Sequence, residues 1–163
     1  MSTKILICSD THGHTREISD CILRTPAVDR IFHLGDYSLD VEAMEAYTGR
    51  KIIGVRGNND YFDWQTPAER EIEIEAFRLL LVHGHEQDVY RGVQPLCQYA
   101  KEKGCDIVLY GHTHSYACDI CDGVLYLNPG AVSWPRGDQK KSYAVLTLER
   151  GKEPAVERHL LED

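Results

Sequence analysis

The sequence predicts an α/β protein in which two strand-rich layers carry helices on their outer sides. Three observations lead there. Short apolar runs alternate with amphipathic segments through the first third of the chain. Several of these runs are apolar at nearly every position, as strands covered on both faces are. Further along, the pattern changes to strands with one wet face and a hairpin turn. At 163 residues the chain makes about one domain, and 1–163 reads as a single unit without internal repeat, low-complexity tract or linker.

The first strand spans Lys4 to Ser9. A helix follows over Thr15 to Arg24, where Ile18, Cys21 and Ile22 give the apolar spacing, Thr15 can cap, and Thr25-Pro26 stops it. Arg30 to Leu34 is the second strand, Val41 to Tyr47 a short helix ended by Gly49, and Lys51 to Val55 the third strand. These units imply parallel βαβ topology. Glu71 to Glu75 alternates charged and apolar residues, and Phe77 to Val82 is continuous strand. A helix over Val93 to Lys103 turns Leu96, Cys97 and Ala100 inward and ends at Gly104. Asp106 to Tyr110, Tyr116 to Ile120, Val124 to Leu127, Ser142 to Leu148 and Ala155 to His159 complete the strands, with Asp122-Gly123 as a hairpin turn.

Composition narrows the partners. The net charge of −8 and the lack of a basic run argue against an anionic membrane, and against nucleic acid other than as substrate. The apolar runs of four or five residues are far short of a membrane span. The start Met-Ser-Thr-Lys runs directly into a strand with no signal-peptide pattern, which predicts a cytoplasmic, reduced protein. The six cysteines are then read as free thiols; Cys118-Asp119-Ile120-Cys121 is a lone CxxC without the second pair a structural zinc site needs.

Chemistry gathers at the strand ends. Tyr110-Gly111-His112-Thr113-His114 places two imidazoles at i, i+2, which on extended backbone share one face, a metal half-site. Asp10 and His12, Asp36, Asn58, and His83 each follow an apolar run in the same way. All these donors are oxygen or imidazole nitrogen. They suit manganese, iron, zinc or nickel, with no thiolate for copper(I) or an iron–sulfur cluster. Seven donors exceed one open tetrahedral site and fit two adjacent divalent cations, most simply Mn2+, sharing a carboxylate. Such a pair, about 3.5–4 Å apart, lowers the pKa of a bridging water and clamps an in-line displacement at phosphorus.

The ordered set Asp-x-His, Gly-Asp, Gly-Asn-x-Asp, His-Gly-His and Gly-His-Thr-His resembles the calcineurin-like metallophosphoesterases, closest to their small single-domain bacterial and archaeal phosphodiesterases. Asn128-Pro129-Gly130 is similar to a segment that follows the site in that family. The resemblance implies a four-layer α/β/β/α sandwich and a metal-dependent phosphodiesterase whose bridging hydroxide attacks a small phosphodiester. By the same resemblance, Asp10, His12 and His114 hold the first metal, Asn58, His83 and His112 the second, and Asp36 bridges them. Asn58 and His112 also place the phosphate. The subgroup suggests a homo-oligomer, for which Glu71 to Phe77 offers an edge.

One position departs from the pattern. Many members carry a histidine after Gly-Asn, where this chain has Asn59. An amide can donate a hydrogen bond to a phosphoryl oxygen but cannot release a proton at neutral pH. Diesters with acidic leaving groups are therefore expected to be favoured, with His14 and His85 as substitute acids. Of the remaining polar residues, His33 reads as a packed, hydrogen-bonded neighbour of Gly-Asp, Asp60 as a loop anchor, and His159 as a surface residue. Arg56 either contacts phosphate or faces solvent, and Tyr61 and Trp134 either line a pocket or pack. Two rival functions remain. One is a protein-binding scaffold, as in a retromer subunit similar in fold, against which the complete donor set speaks. The other is a metallo-β-lactamase-type hydrolase, whose His-x-His-x-Asp-His cluster is absent.

Overall fold

A computed structural model describes residues 1–137 and 139–161. In chain order the described residues form β1 (Ser2–Cys8), α1 (Arg16–Leu23), β2 (Arg30–His33), α2 (Asp40–Thr48), β3 (Ile53–Gly54), β4 (Glu69–Ile74) and β5 (Phe77–Val82). They continue with α3 (Gln94–Lys103), β6 (Ile107–Leu109), β7 (Tyr116–Cys121), β8 (Val124–Pro129), β9 (Ser142–Glu149) and β10 (Ala155–Leu160). A single 3-10 turn at Val89–Arg91, which no sequence signal marks, precedes α3.

The strands make two five-stranded mixed sheets, ordered β10-β9-β1-β2-β3 and β4-β5-β6-β8-β7. As the βαβ pattern predicts, β1, β2 and β3 pair in parallel, and so do β5, β6 and β8. Alternation along each strand explains the layering. On β1, Ile5 and Ile7 enter the core between the sheets with Leu79, Leu81, Leu109 and Leu146. Leu6 and Cys8 on the opposite face pack with Ile18, Ile22 and Met44 of α1 and α2. On the second sheet, Leu80, Val108 and Tyr126 face Leu96, Cys97 and Ala100 of α3. Three apolar seams between four layers give the expected α/β/β/α sandwich. The near-continuous apolar runs are thereby explained, since both faces of each central strand are covered.

Local departures have local causes. β3 is two residues long, not Lys51 to Val55, because at the sheet edge it pairs only Ile53 with Phe32 and Gly54 with His33. Thr15 occupies the N-cap position of α1, but its side chain makes no capping hydrogen bond. Gly49 and Gly104 end α2 and α3 in the left-handed conformation, as the sequence predicts. All six cysteines are free. Cys118 and Cys121 lie three apart on β7, so they face opposite sides and do not form a chelating pair. His159 is not simply solvated: its ring stacks on Tyr143 at 5.1 Å. Among the described residues no helix is long and apolar enough to cross a membrane.

Candidate metal centre

Parallel pairing carries the C-terminal ends of β1, β2 and β3 to one side of the first sheet, and those of β5, β6 and β8 to one side of the second. Cross-links close these loops into a single floor. Asp10 and Thr11 donate their N–H groups to the carbonyls of Gly35 and Asp36, at 3.0 Å each, and Gly111 donates to the His83 carbonyl at 2.9 Å. His112 N donates to Asp10 Oδ2 at 3.2 Å and so ties the second sheet to the first. Two glycines are required by this closeness. A Cβ on Gly57 would lie 2.3 Å from Asp36 Oδ1, and one on Gly111 would lie 2.1 Å from Ser9 Oγ.

The seven predicted residues come together in two overlapping groups. Donor atoms of Asp10, His12, Asp36 and His114 all lie within 4.8 Å of one another. Around His83, Nε2 is 3.0 Å from Asn58 Oδ1, 3.3 Å from His112 Nδ1 and 3.4 Å from Asp36 Oδ2. Asp36 reaches both groups, since its Oδ2 is also 3.7 Å from His12 Nε2.

The GHTH segment corrects one expectation. It is not extended: β6 ends at Leu109, and His112 and His114 sit in the left-handed region at φ 72° and 59°. The two rings therefore do not form a half-site on one face. His114 Nε2 faces Asp10 Oδ1 at 3.4 Å, whereas His112 joins His83 and Asn58. Asp10, His12 and Asp36 share this rare backbone, at φ 58°, 46° and 50°. Left-handed conformations in non-glycine residues gather at functional sites, where long-range contacts enforce them.

The donor chemistry fits cations. His83 Nδ1 is 2.7 Å from the Leu34 carbonyl and His114 Nδ1 is 2.8 Å from that of Trp134. A carbonyl only accepts, so each Nδ1 carries its proton and each neutral ring presents a bare Nε2 to the site. His83 Nε2 then faces three acceptor oxygens, those of Asn58, Asp36 and Asp10. Asp10 Oδ1 and His12 Nε2 are buried with no hydrogen-bond partner. Buried acceptors aimed at one another with nothing between them call for positive charge.

Proton affinities report the same demand. Burial opposes charge on His83, but the hydrogen bond to Asp36 and the Asp10 charge raise its pKa above the usual histidine value. Burial also opposes charge on His114, and Asp10 likewise raises it. Burial and then the charge of His83 push His112 down to about 4. Burial opposes ionisation of Asp36, yet hydrogen bonds from His83 and Asn59 hold it well below the usual carboxylate range. The sign follows. In the cation-free protein, the raised pair stabilises the fold below about pH 6.5, the unfolded value, and this contribution is lost as pH rises through the folded pKa. Divalent cations need the same two nitrogens unprotonated. The rise in melting temperature on adding Mn2+ should therefore grow with pH above about 6.5, measured by differential scanning fluorimetry. An increment that shrinks as pH rises would contradict this arrangement of donors.

The surroundings resolve several sequence readings. Asn59 does not point its donors at an open phosphate position: Nδ2 donates to Asp36 Oδ2 at 2.7 Å and its backbone N–H to Oδ1 at 3.0 Å. Asp60 is the expected loop anchor, accepting from the N–H groups of Gly57, Asp36 and Ser38. His33 is buried against Thr11 Oγ1, as expected. Arg56 donates to the Asp63 carbonyl and lines a 310 Å3 cleft with Asn58, Trp64 and His85. His14 meets the edge of Trp134, and the His85 ring lies 5.5 Å from His83. Trp134 and Tyr61 are rim residues, 60% and 68% exposed. Asn128 carries no signal of its task in the sequence. Its Nδ2 donates to the Gly111 carbonyl and Thr113 Oγ1, fixing the GHTH turn. Tyr90, whose ring packs 4.6 Å from His112, carries none either. Neither residue type signals such a role without the fold.

Comparison with known proteins places the chain in a family. A family profile described as the calcineurin-like phosphoesterase superfamily domain matches residues 3–151. A probable metallophosphoesterase of Bacillus subtilis is 33% identical over 148 residues, covering 89% of this chain and 84% of that protein. A phosphodiesterase of Methanocaldococcus jannaschii is 33% identical over 144 residues, covering 78% of this chain and 82% of that protein. The crystal structure of a predicted phosphoesterase from Streptococcus pneumoniae superposes with a TM-score of 0.85 at 29% identity, covering 98% of this chain and 90% of that one.

Proposed function

Because the chain belongs to the calcineurin-like phosphoesterase superfamily, we propose that it is a divalent-metal-dependent phosphodiesterase with a dinuclear centre. The observation that carries this reading is the mutually facing set of seven donors, of which Asp10, Asp36 and His83 are buried, with Asp10 Oδ1 and His12 Nε2 left without hydrogen-bond partners. Asp10, His12 and His114 would hold one cation, Asn58, His83 and His112 the other, and Asp36 would touch both. When bound, such a pair supplies a hydroxide nucleophile at neutral pH and neutralises charge on the phosphoryl group.

The chain's own residues do the rest. The Leu34 and Trp134 carbonyls hold His83 and His114 in the tautomer that leaves Nε2 free. Asn59 fixes the Asp36 carboxylate through two hydrogen bonds. Asn58, which is exposed, and His112, which is half-buried, would place the phosphate. With the Asn59 amide committed to Asp36, no proton donor stands at that position, so reactivity should follow the acidity of the leaving group. All seven positions carry competent donors, which favours the enzyme over the scaffold reading.

The test is hydrolysis of bis(p-nitrophenyl) phosphate by metal-stripped protein, with and without added Mn2+, beside p-nitrophenyl phosphate. We expect manganese-dependent turnover of the diester with little on the monoester, and slower turnover of alkyl than of nitrophenyl esters. No turnover with any divalent cation would overturn the proposal. Equal rates for alkyl and nitrophenyl esters would overturn the leaving-group argument alone.

A further inference from the structure

A largely apolar cavity of about 260 Å3 opens beside the metal centre, lined by Tyr37, Leu39, Asn59, Tyr61 and Phe62, with Ser38, Asp60 and Asp63 as its polar lining. Its walls are unusually bare: Leu39 is 65% exposed, Tyr61 68% and Phe62 85%. Large apolar side chains held at the surface around one hollow call for an apolar occupant. Three features say which. The cavity shares a wall with the site, since Tyr37 directly follows Asp36 and its ring lies 5.1 Å from that of His12. Asn59, another wall, hydrogen-bonds Asp36. The volume falls just under the roughly 300–1,000 Å3 of sites for drug-sized ligands, enough for a single ring system.

Resting on the phosphodiesterase reading above, we propose that this cavity takes a flat, uncharged ring, of the nucleobase or aryl class, carried on one ester arm of the diester. Tyr37, Tyr61 and Phe62 offer π-faces and edges for stacking, and Tyr61 and Phe62 already meet edge to face at 6.2 Å. Polar groups near the floor are satisfied internally: Ser38 Oγ donates to Asp63 Oδ2, and Asp60 accepts from Ser38 N. The hollow thus selects shape and stacking over a particular hydrogen-bond pattern. A net charge of −8 favours a small ester over a polymer of phosphates.

The test compares adenosine 5′-monophosphate with ribose 5-phosphate as inhibitors of bis(p-nitrophenyl) phosphate hydrolysis by the manganese-loaded protein. The two probes differ at the anomeric carbon, which carries adenine in one and a hydroxyl in the other. Adenosine and ribose, which carry no phosphate, are examined alongside by saturation-transfer NMR on metal-free protein. We expect the monophosphate with the base to inhibit about tenfold more tightly, within the range of one stacked base, and adenosine but not ribose to receive transfer. Phe62→Ala and, separately, Leu39→Ala should bring the inhibition ratio toward one with the melting temperature unchanged. Ile120→Ala, an exposed apolar residue of β7, should leave the ratio intact. A ratio near one alongside active diester hydrolysis would overturn the cavity assignment and spare the phosphodiesterase. Adenosine transfer without turnover of any diester would do the reverse. A dimer abolished by Phe62→Ala, with no adenosine contact, would overturn the assignment in favour of a second copy of the chain.

Discussion

Asp36→Asn is expected to lower kcat for bis(p-nitrophenyl) phosphate by at least about 100-fold and to strip the protein of one or both divalent cations. The substitution keeps the size of the side chain and removes its charge. In the native site, Asp36 Oδ2 lies 3.4 Å from His83 Nε2 and 3.7 Å from His12 Nε2, so one carboxylate faces both donor groups. Two hydrogen bonds from Asn59 hold it in place. An amide at 36 would present either an N–H to the Asn59 donor or only one oxygen to two histidines. Metal content per chain, read by mass spectrometry beside the kinetics, separates loss of cations from loss of chemistry. Retention of more than about a tenth of kcat would contradict the shared-carboxylate role, because removing a bridge should disable both halves at once.

Gly57→Ala should do comparable damage without touching a donor. The added methyl would stand 2.3 Å from Asp36 Oδ1 and 2.7 Å from Asp36 N, far inside van der Waals contact. The loop cannot simply retreat, because Gly57 N donates to Asp60 Oδ2 at 2.7 Å and Asp60 in turn holds the N–H groups of Asp36 and Ser38. Overpacking of this kind costs about 1–3 kcal/mol. We therefore expect a lower melting temperature, together with a fall in manganese affinity and in diester turnover of at least about tenfold, since supporting residues around a metal carry effects of about 10–100-fold. A variant with native metal content and full activity would mean that Asp36 can be displaced without consequence, against the geometry above.

Much of this is legible from residues alone, and the reason is physical. A strand covered on both faces must be apolar throughout, which makes β1, β5 and β6 visible in sequence. Donor residues that follow such strands in a fixed order announce the site, and all seven converge. What the sequence does not show depends on contacts between distant segments. His112 and His114 leave the extended conformation because tertiary contacts bend the turn: Asn128 binds Gly111 and Thr113 from 17 and 15 positions away. Asn59 reads in sequence as a donor to substrate, yet Asp36, 23 positions earlier, accepts from both its side-chain amide and its backbone N–H. The Trp134 carbonyl that sets the His114 tautomer is a backbone atom, on which no residue type bears. The shortness of β3 follows from its place at the sheet edge, fixed only when the sheet assembles.

The left-handed backbone at Asp10, His12, Asp36, His112 and His114 has an evolutionary consequence. Each such conformation costs a non-glycine residue of the order of 1 kcal/mol or more, and glycine would relieve it. At these five positions, then, the demands of the fold and those of the proposed cation site pull in opposite directions, as trade-offs between stability and activity commonly do. A lineage released from the need to hold cations would not erode evenly. Its first accepted changes would fall on these turns, where replacing a donor by glycine relieves the backbone, while the three apolar seams stayed under selection. The architecture could thus outlive its chemistry and become more robust as it did so.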